Sequence, residues 1–137
     1  MITGLHHVNL VVPLGTLELA REFYGNTLGL TPRPVPQLQR DSLAWFDIGD
    51  SGQQVHVATK SEDFASKSSR HPCFRIGNVE DLATLREKIW AHFELGGDAA
   101  PKEADKPGEK DSGAVGVEYP TRFFARDYAG NRLEFSL

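Results

Sequence analysis

Residues 121–137 read TRFFARDYAGNRLEFSL and hold two strand patterns joined by a turn. Apolar and polar residues alternate in Arg132–Leu137, which is typical of a strand with one buried face. The glycine and asparagine that end Tyr128–Asn131 accept the backbone conformations of a tight turn. We therefore expect a β-hairpin in which Thr121–Asp127 pairs with Arg132–Leu137.

A strand, a helix and a loop precede this hairpin. Arg70–Ile76 (RHPCFRI) predicts a strand, and residues 78–95 predict a helix that Asn78 opens and two glycines end. The residues expected on the buried side of the helix are Leu82, Leu85, Ile89 and Phe93. The charged residues 98–114, which contain proline and glycine, predict a mobile flap. Val115–Tyr119 is expected to pair as a short strand.

The first half of the chain has the same order of elements. Leu5–Val12 (LHHVNLVV) is rich in β-branched residues and predicts a strand, and Thr16 is a plausible N-cap for a helix through about Thr27. Three strands are then expected: a short edge strand in the proline-rich residues 31–37, Ser42–Ile48 and Gln53–Thr59. Strand–helix–strand–strand–strand thus occurs twice, with the polar connector 60–70 between the copies.

Composition narrows the class of protein. A chain of 137 residues with 39% hydrophobic residues is expected to form one domain, residues 1–137. The net charge of −4 argues against a general nucleic-acid binder, so the expected partners are a small molecule and a second copy of the chain. The sequence has no apolar run that could span a bilayer and no signal-peptide pattern, and Cys73 is its single cysteine. We therefore expect no membrane association and a cytoplasmic location.

Four side chains are candidate metal ligands, and they occupy two kinds of position that are each used twice. His7 and His71 lie on the first strand of each half, and His56 and Glu134 lie on the last strand of each half. Each points away from the apolar face of its strand. Three imidazoles and one carboxylate suit Zn²⁺, Fe²⁺, Ni²⁺, Co²⁺ or Mn²⁺. Taken alone, each of these residues is more often an ordinary core or surface residue, so the repeated placement carries the argument.

Four segments of the chain resemble the vicinal oxygen chelate superfamily, which includes glyoxalase I, extradiol dioxygenases and fosfomycin-resistance proteins. The segments are HHVNLVV, LELAREFYGNTLGL, RHPCFRI and FFARDYAGNRLEF. The resemblance covers nearly the whole chain, although Tyr128-Ala129 replaces the Pro-Asp that usually stands in the last turn. It implies an α+β fold of two βαβββ modules, about 1–60 and about 70–137. The modules would form a curved, half-barrel mixed sheet around a central metal site.

The resemblance implies metal ligands at His7, His71 and Glu134, with a fourth ligand where this chain has His56. Glyoxalase-like members often have Glu or Gln there, so the reaction stays open. If His56 ligates, the site suits a lyase or isomerase in which His56 and Glu134 are the catalytic residues. If His56 does not ligate the metal, the other three residues form the 2-His-1-carboxylate triad of a non-haem Fe(II) dioxygenase. A third alternative is a protein that sequesters a drug or another ligand without chemistry.

The expected substrate-binding residues lie on the same strand faces as the ligands. Asn9 shares the face of His7, and Arg75 shares the face of His71. The family's register would direct Arg122 and Phe124 toward the site. Arginines near a metal favour an anionic substrate. Many relatives of this length are homodimers, and in some of them two chains share one site, so the resemblance implies a homodimer.

Overall fold

The computed structural model describes residues 1–61, 67–114, 116 and 121–137. The chain divides into two compact units, Met1–Phe64 and Ala65–Leu137, and the division falls within the polar connector expected at 60–70. Each unit contains one four-stranded mixed sheet. Among the described residues, no helix combines the length and the apolar character needed to cross a membrane.

The first unit has the strand order β1-β4-β3-β2. β1 runs parallel to β4, whereas β3 is antiparallel to both of its neighbours. β2 is a three-residue edge strand that contains Pro32, as the prolines of this region predicted. The elements are β1 His7–Pro13, α1 Leu17–Ala20, a π-helical segment Arg21–Thr27, β2 Thr31–Arg33, a 3-10 turn Gln37–Gln39, β3 Leu43–Asp47 and β4 Gln54–Lys60.

The first helix differs from the prediction in two ways. After α1 the chain continues as a π-helix, in which the Leu28 N–H donates to the carbonyl of Phe23 at 2.9 Å. Thr16 is the N-cap residue, as predicted, but its side chain makes no capping hydrogen bond, and its hydroxyl donates to the carbonyl of Pro13 at 2.6 Å. Phe23 and Tyr24 are fully buried against one side of the sheet, where the Tyr24 and Phe46 rings lie 5.8 Å apart.

The second unit repeats this topology with the strand order β5-β8-β7-β6. β5 is parallel to β8, and β7 is antiparallel to both of its neighbours. Its elements are β5 Cys73–Arg75, α2 Val79–Leu95, β6 Glu103–Ala104, β7 Arg122–Arg126 and β8 Arg132–Ser136. Two open βαβββ modules of the α+β class are therefore present, as the internal repeat predicted.

The helix α2 follows its sequence signals at both ends. The Asn78 side chain accepts a hydrogen bond from the Asp81 N–H at 2.8 Å, and Gly96 ends the helix at φ 75°. Leu82 and Ile89 are buried as expected, and Leu85 is half-buried. Phe93 is 37% exposed, so the prediction that it joins the core is wrong. It lies in the last turn of the helix, and its ring meets that of Trp90 at 5.1 Å with an angle of 33° between the planes.

Two predicted segments of the second unit have different limits in the structure. The strand expected at Arg70–Ile76 is only β5, which begins after Pro72, a residue without an N–H to donate. Residues 98–114 include β6 and are tied to α2, because Arg86 donates to the carbonyls of Asp105, Lys106 and Glu109. The strand expected at Val115–Tyr119 lies outside the described residues, except for Gly116.

Candidate metal centre

The parallel strand pairs place the candidate ligands in equivalent rows of the two sheets. In the first unit, Asn9 of β1 pairs with His56 of β4, which pairs with Trp45 of β3. In the second unit, the same three positions are Cys73, Glu134 and Phe124. His7 stands two residues before Asn9, and His71 stands two residues before Cys73. Each unit therefore carries one donor on its fourth strand and one on or just before its first strand.

In the first unit the two histidines and a tryptophan form a stacked column. The rings of His7 and His56 lie 4.0 Å apart with an angle of 12° between their planes. The His56 ring also stacks on Trp45 at 4.6 Å and 12°. These contacts hold His56 half-buried, while His7 and Asn9 are exposed.

Hydrogen bonds fix which nitrogen of His56 is free to bind a metal. The Gln54 amide donates to Asp47 Oδ1 at 2.8 Å, so its carbonyl oxygen accepts from His56 Nε2 at 2.9 Å. The hydrogen then resides on Nε2, and the lone pair that remains is on Nδ1. Burial of the ring, followed by the charges of His7 and His6, lowers the pKa of His56. Both effects favour the neutral imidazole, which is the form that binds metals.

The second unit contains a direct contact between the two other ligand candidates. His71 Nε2 lies 2.8 Å from Glu134 Oε2, and His71 Nδ1 lies 2.6 Å from the carbonyl oxygen of Ser69. A carbonyl only accepts, so Nδ1 donates to Ser69 and Nε2 is the nitrogen available to a metal. This is the arrangement that commonly orients a metal-binding histidine. Nε2 faces a carboxylate oxygen, so a hydrogen bond or a shared metal ion can join the two atoms.

Arg122 holds the other oxygen of Glu134. Its Nη1 lies 3.4 Å from Glu134 Oε1, its Nε lies 3.7 Å from Asp111 Oδ1, and its Nη2 donates to the Ala114 carbonyl at 2.7 Å. The side chain of Arg122 is only 10% exposed. Glu134 therefore lies between an imidazole and a guanidinium, and the guanidinium links it to the loop that ends at Ala114.

Two of the other expected substrate-binding residues, Phe124 and Arg75, belong to the same sheet as Glu134. Phe124 is buried directly across from Glu134 and meets the His71 ring edge-on at 5.6 Å. Arg75 is exposed at the end of β5, opposite Ser136. Cys73, the neighbour of Glu134 on β5, is a free thiol. Burial and the Glu134 carboxylate raise its pKa, so it remains an uncharged neighbour of the candidate ligands.

Each unit contributes one pair of donors, and the described residues contain no cluster of three or more His, Cys, Asp or Glu side chains that could hold a metal ion. The donor types nevertheless fit a divalent cation, because both pairs contain an oriented imidazole. Two features of the site were missed from the sequence: the Gln54–Asp47 pair that orients His56, and the carbonyl of Ser69. Arg132, which strand alternation places beside Glu134, lies 4.3 Å over the Phe124 ring.

Neither a protein-family model nor a curated protein matches the chain. Solved structures match over almost its full length. A protein described as belonging to the glyoxalase family, from Bacillus anthracis, is 26% identical, with a TM-score of 0.70 over 98% of this chain and 94% of that one. The fosfomycin resistance protein FosX of Listeria monocytogenes is 19% identical, with a TM-score of 0.72 over 99% and 91% of the two chains.

A mutant form of the same FosX was solved with Mn(II) and 1S,2S-dihydroxypropylphosphonic acid. It is 18% identical to this chain, with a TM-score of 0.71 over 99% of this chain and 90% of that one. These glyoxalase-family and FosX neighbours belong to the vicinal oxygen chelate superfamily, and the chain has the fold of that superfamily.

Proposed function

We propose that this chain is a metal-dependent, glyoxalase-like lyase or isomerase whose small, oxygen-rich and anionic substrate chelates a divalent ion. The observation that carries the proposal is the His71–Glu134 pair, in which the Ser69 carbonyl already orients the imidazole. His7 and His56 would complete the ligand set, with Zn, Fe, Ni, Co or Mn as the ion. The Mn(II) complex of the FosX neighbour supports a divalent metal in this fold.

When bound, the metal would act as a Lewis acid that stabilises negative charge developing on substrate oxygens. The protein's own groups have separate tasks. His56 is a neutral imidazole whose one lone pair, on Nδ1, would bind the metal or, once released from the ion, accept a proton from the substrate. Arg122 holds the Glu134 carboxylate in place, and Asn9 and Arg75, which are exposed on the ligand faces, would hydrogen-bond substrate oxygens. Phe124 would close the apolar side of the site.

The stacked column in the first unit favours a second candidate function, that of a non-haem Fe(II) dioxygenase. The lone pair of an imidazole lies in the plane of its ring. Rings that are 4.0 Å apart and within 12° of parallel direct their lone pairs side by side, so the two cannot meet at one ion about 2 Å from each nitrogen. One of the two rings must rotate before both can ligate. If His56 stays stacked on Trp45, the ligands are His7, His71 and Glu134.

Metal content decides between these functions. Elemental analysis of the purified protein, after reconstitution with each of the five ions, should give about one ion per pair of units. Glu134→Ala should lose it, whereas His6→Ala, a change next to the site, should retain it. Loss in His56→Ala would support the four-ligand lyase or isomerase. Retention there, together with oxygen consumption by the iron form, would support the dioxygenase. A wild-type protein that takes up none of the ions would overturn both metal-dependent functions. The remaining alternative would be a protein that sequesters a ligand without chemistry.

We also propose a cytoplasmic homodimer. Cys73 is exposed and unpaired, which suits a reducing compartment. Each compact unit offers only two of the four donors, so a metal site needs two units, from one chain or from two. Analytical ultracentrifugation at several protein concentrations tests the oligomeric state, and a monomer at every concentration would contradict the homodimer.

A further inference from the structure

Arg132 differs from the two arginines of the neighbouring strand β7. Both of those guanidinium groups hydrogen-bond protein acceptors: Arg122 to Glu134 and the Ala114 carbonyl, and Arg126 to Glu103 and the carbonyls of Ser68 and Gly130. The Nε of Arg132 is buried and finds no acceptor in the part of the chain that the structure describes. Its guanidinium forms neither a hydrogen bond nor an ion pair with those residues.

Within the described ranges, the contact that positions this guanidinium is aromatic. Its central carbon lies 4.3 Å above the centroid of the Phe124 ring, which is close enough for a strong cation–π interaction. Stacking orients the guanidinium plane and removes water from one of its faces. The N–H groups at the edge of the guanidinium have no hydrogen-bond acceptor among the described residues. A partly dehydrated cation with unused donors is a binding group for an oxyanion.

A small cavity of about 120 Å³ adjoins Arg132. The carboxylates that line it already have partners, because Glu103 pairs with Arg126, and Asp105 accepts from the backbone N–H groups of Ser112 and Phe124 at 3.1 and 2.8 Å. Among the charged residues described around this cavity, Arg132 is therefore the group whose hydrogen bonds are unmet. The cavity has room for a group the size of a carboxylate or a phosphonate, and it has no room for a large ligand.

We propose that Arg132, stacked on Phe124, binds the oxyanion group of the substrate and so determines specificity for an anionic substrate. This inference rests on the proposed function, because it places a second anchor beside Glu134. Arg132 and Glu134 are two residues apart on one face of β8, so their Cα atoms are about 7 Å apart. A compact substrate could therefore chelate the metal with one end and reach Arg132 with the other. A long flexible acid does not fit this spacing.

The test measures anion binding apart from catalysis. Isothermal titration with methylphosphonate and with acetate, on metal-free and metal-loaded protein, uses the wild type and the variants Arg132→Gln and Arg132→Lys. Loss of a charge-assisted bidentate contact should weaken binding about tenfold to a hundredfold in Arg132→Gln. Arg132→Lys keeps the positive charge but cannot form the bidentate contact, so its anion affinity should lie between those of the wild type and Arg132→Gln. Arg40→Gln, an exposed arginine of the first unit, is the matched control and should bind as the wild type does.

The outcomes separate this inference from the proposed function. Metal affinity that is unchanged in Arg132→Gln, with weaker anion binding, supports the inference. Anion binding that is equal in all variants, or absent from the wild type in both metal states, overturns it even if the metal binds. If no metal binds but Arg132→Gln still weakens anion binding, the anion site stands and the proposed function fails. If the wild type binds methylphosphonate more tightly than acetate, the substrate group that Arg132 binds is a tetrahedral oxyanion. The reverse order identifies that group as a carboxylate.

Discussion

His71 Nε2 and Glu134 Oε2 lie 2.8 Å apart, a distance at which their lone pairs would face each other without a shared proton or a cation. Ser69 already fixes the hydrogen of the opposite nitrogen, so the ring cannot avoid this conflict by changing its tautomer. A cation that binds both atoms must therefore displace that proton. The same contact that preorganises the ligands also makes metal and proton compete for them.

We expect metal binding to release about one proton per ion from this pair. Calorimetric titration of Zn²⁺ or Mn²⁺ in buffers of different ionisation enthalpy measures the number directly. Metal affinity should consequently increase with pH across the range in which the proton is held. Glu134→Gln replaces the carboxylate with a neutral amide and should lower both the affinity and the proton release. His6→Asn serves as the control. Binding with no proton release at any pH would contradict a proton shared by His71 and Glu134.

The depressed pKa of His56 predicts a second effect of pH, on stability. Burial and the neighbouring charges of His7 and His6 place the folded-state pKa below the unfolded value, which is about 6.5. Between the two values the unfolded chain binds more protons, so the free energy of unfolding falls as the pH is lowered through that window. Above the unfolded pKa, His56 is neutral in both states and the effect disappears.

Urea denaturation of metal-free protein at intervals between about pH 5 and pH 7.5 measures this dependence. The His56→Gln variant should lose stability less steeply on acidification than the wild type, because it lacks the titrating ring. Comparison of the two removes the contributions of His6, His7 and the other histidines, which both proteins retain. Parallel stability curves for the two proteins would show that His56 titrates as it does in the unfolded chain.

The internal repeat made most of the fold predictable from the sequence, because turn residues and strand periodicity are local signals. The hairpin around Asp127 is an example: its buried carboxylate accepts hydrogen bonds from the N–H groups of Ala129 and Asn131 at 2.9 Å. The donor positions followed from strand alternation alone. The π-helical continuation of α1 and the exposure of Phe93 were not predictable, since both depend on packing between elements.

The details of the candidate site were less accessible to sequence reasoning. The family's register directed Arg122 toward the site, and strand alternation placed Arg132 on the face of Glu134. Neither could distinguish a guanidinium that is hydrogen-bonded within the protein from one that is not. That difference depends on where the loop 98–114 runs, because Asp111 and Ala114 engage Arg122. Composition predicted a mobile flap there, and its mobility remains a prediction. The hydrogen bonds of Arg86 to three carbonyls of this loop attach the loop to α2, but they do not measure its mobility.

Gly113 should be the most sensitive position of that loop. A Cβ at this residue would lie 2.6 Å from Arg122 Nη2, 2.6 Å from Phe124 Cε2 and 2.8 Å from Asp111 Oδ1. Gly113→Ala should therefore force the loop away from Phe124 and cost about 1–3 kcal/mol in the free energy of unfolding. Gly77→Ala is the matched control, because nothing lies within 4 Å of its Cβ position. Equal stability of the two variants would contradict close packing of the loop on Phe124.

The division of the chain into two compact units makes it possible to ask which units share one metal ion. If the proposed homodimer shares its sites, His7 and His56 of one chain work with His71 and Glu134 of the other. His7→Ala and Glu134→Ala each break one pair and should abolish metal binding in either pure variant. A mixed dimer of the two contains one site with both changes and one site with neither. Refolding the variants together should therefore restore metal binding to a substantial fraction of the sites. If each chain builds its own site, every site in the mixture carries one change and no binding returns.

Mixing His7→Ala with His71→Ala tests the same arrangement with a different second-unit ligand and should give the same recovery. Co-refolding His71→Ala with Glu134→Ala is the control, because both changes damage the second unit and neither arrangement leaves a complete site.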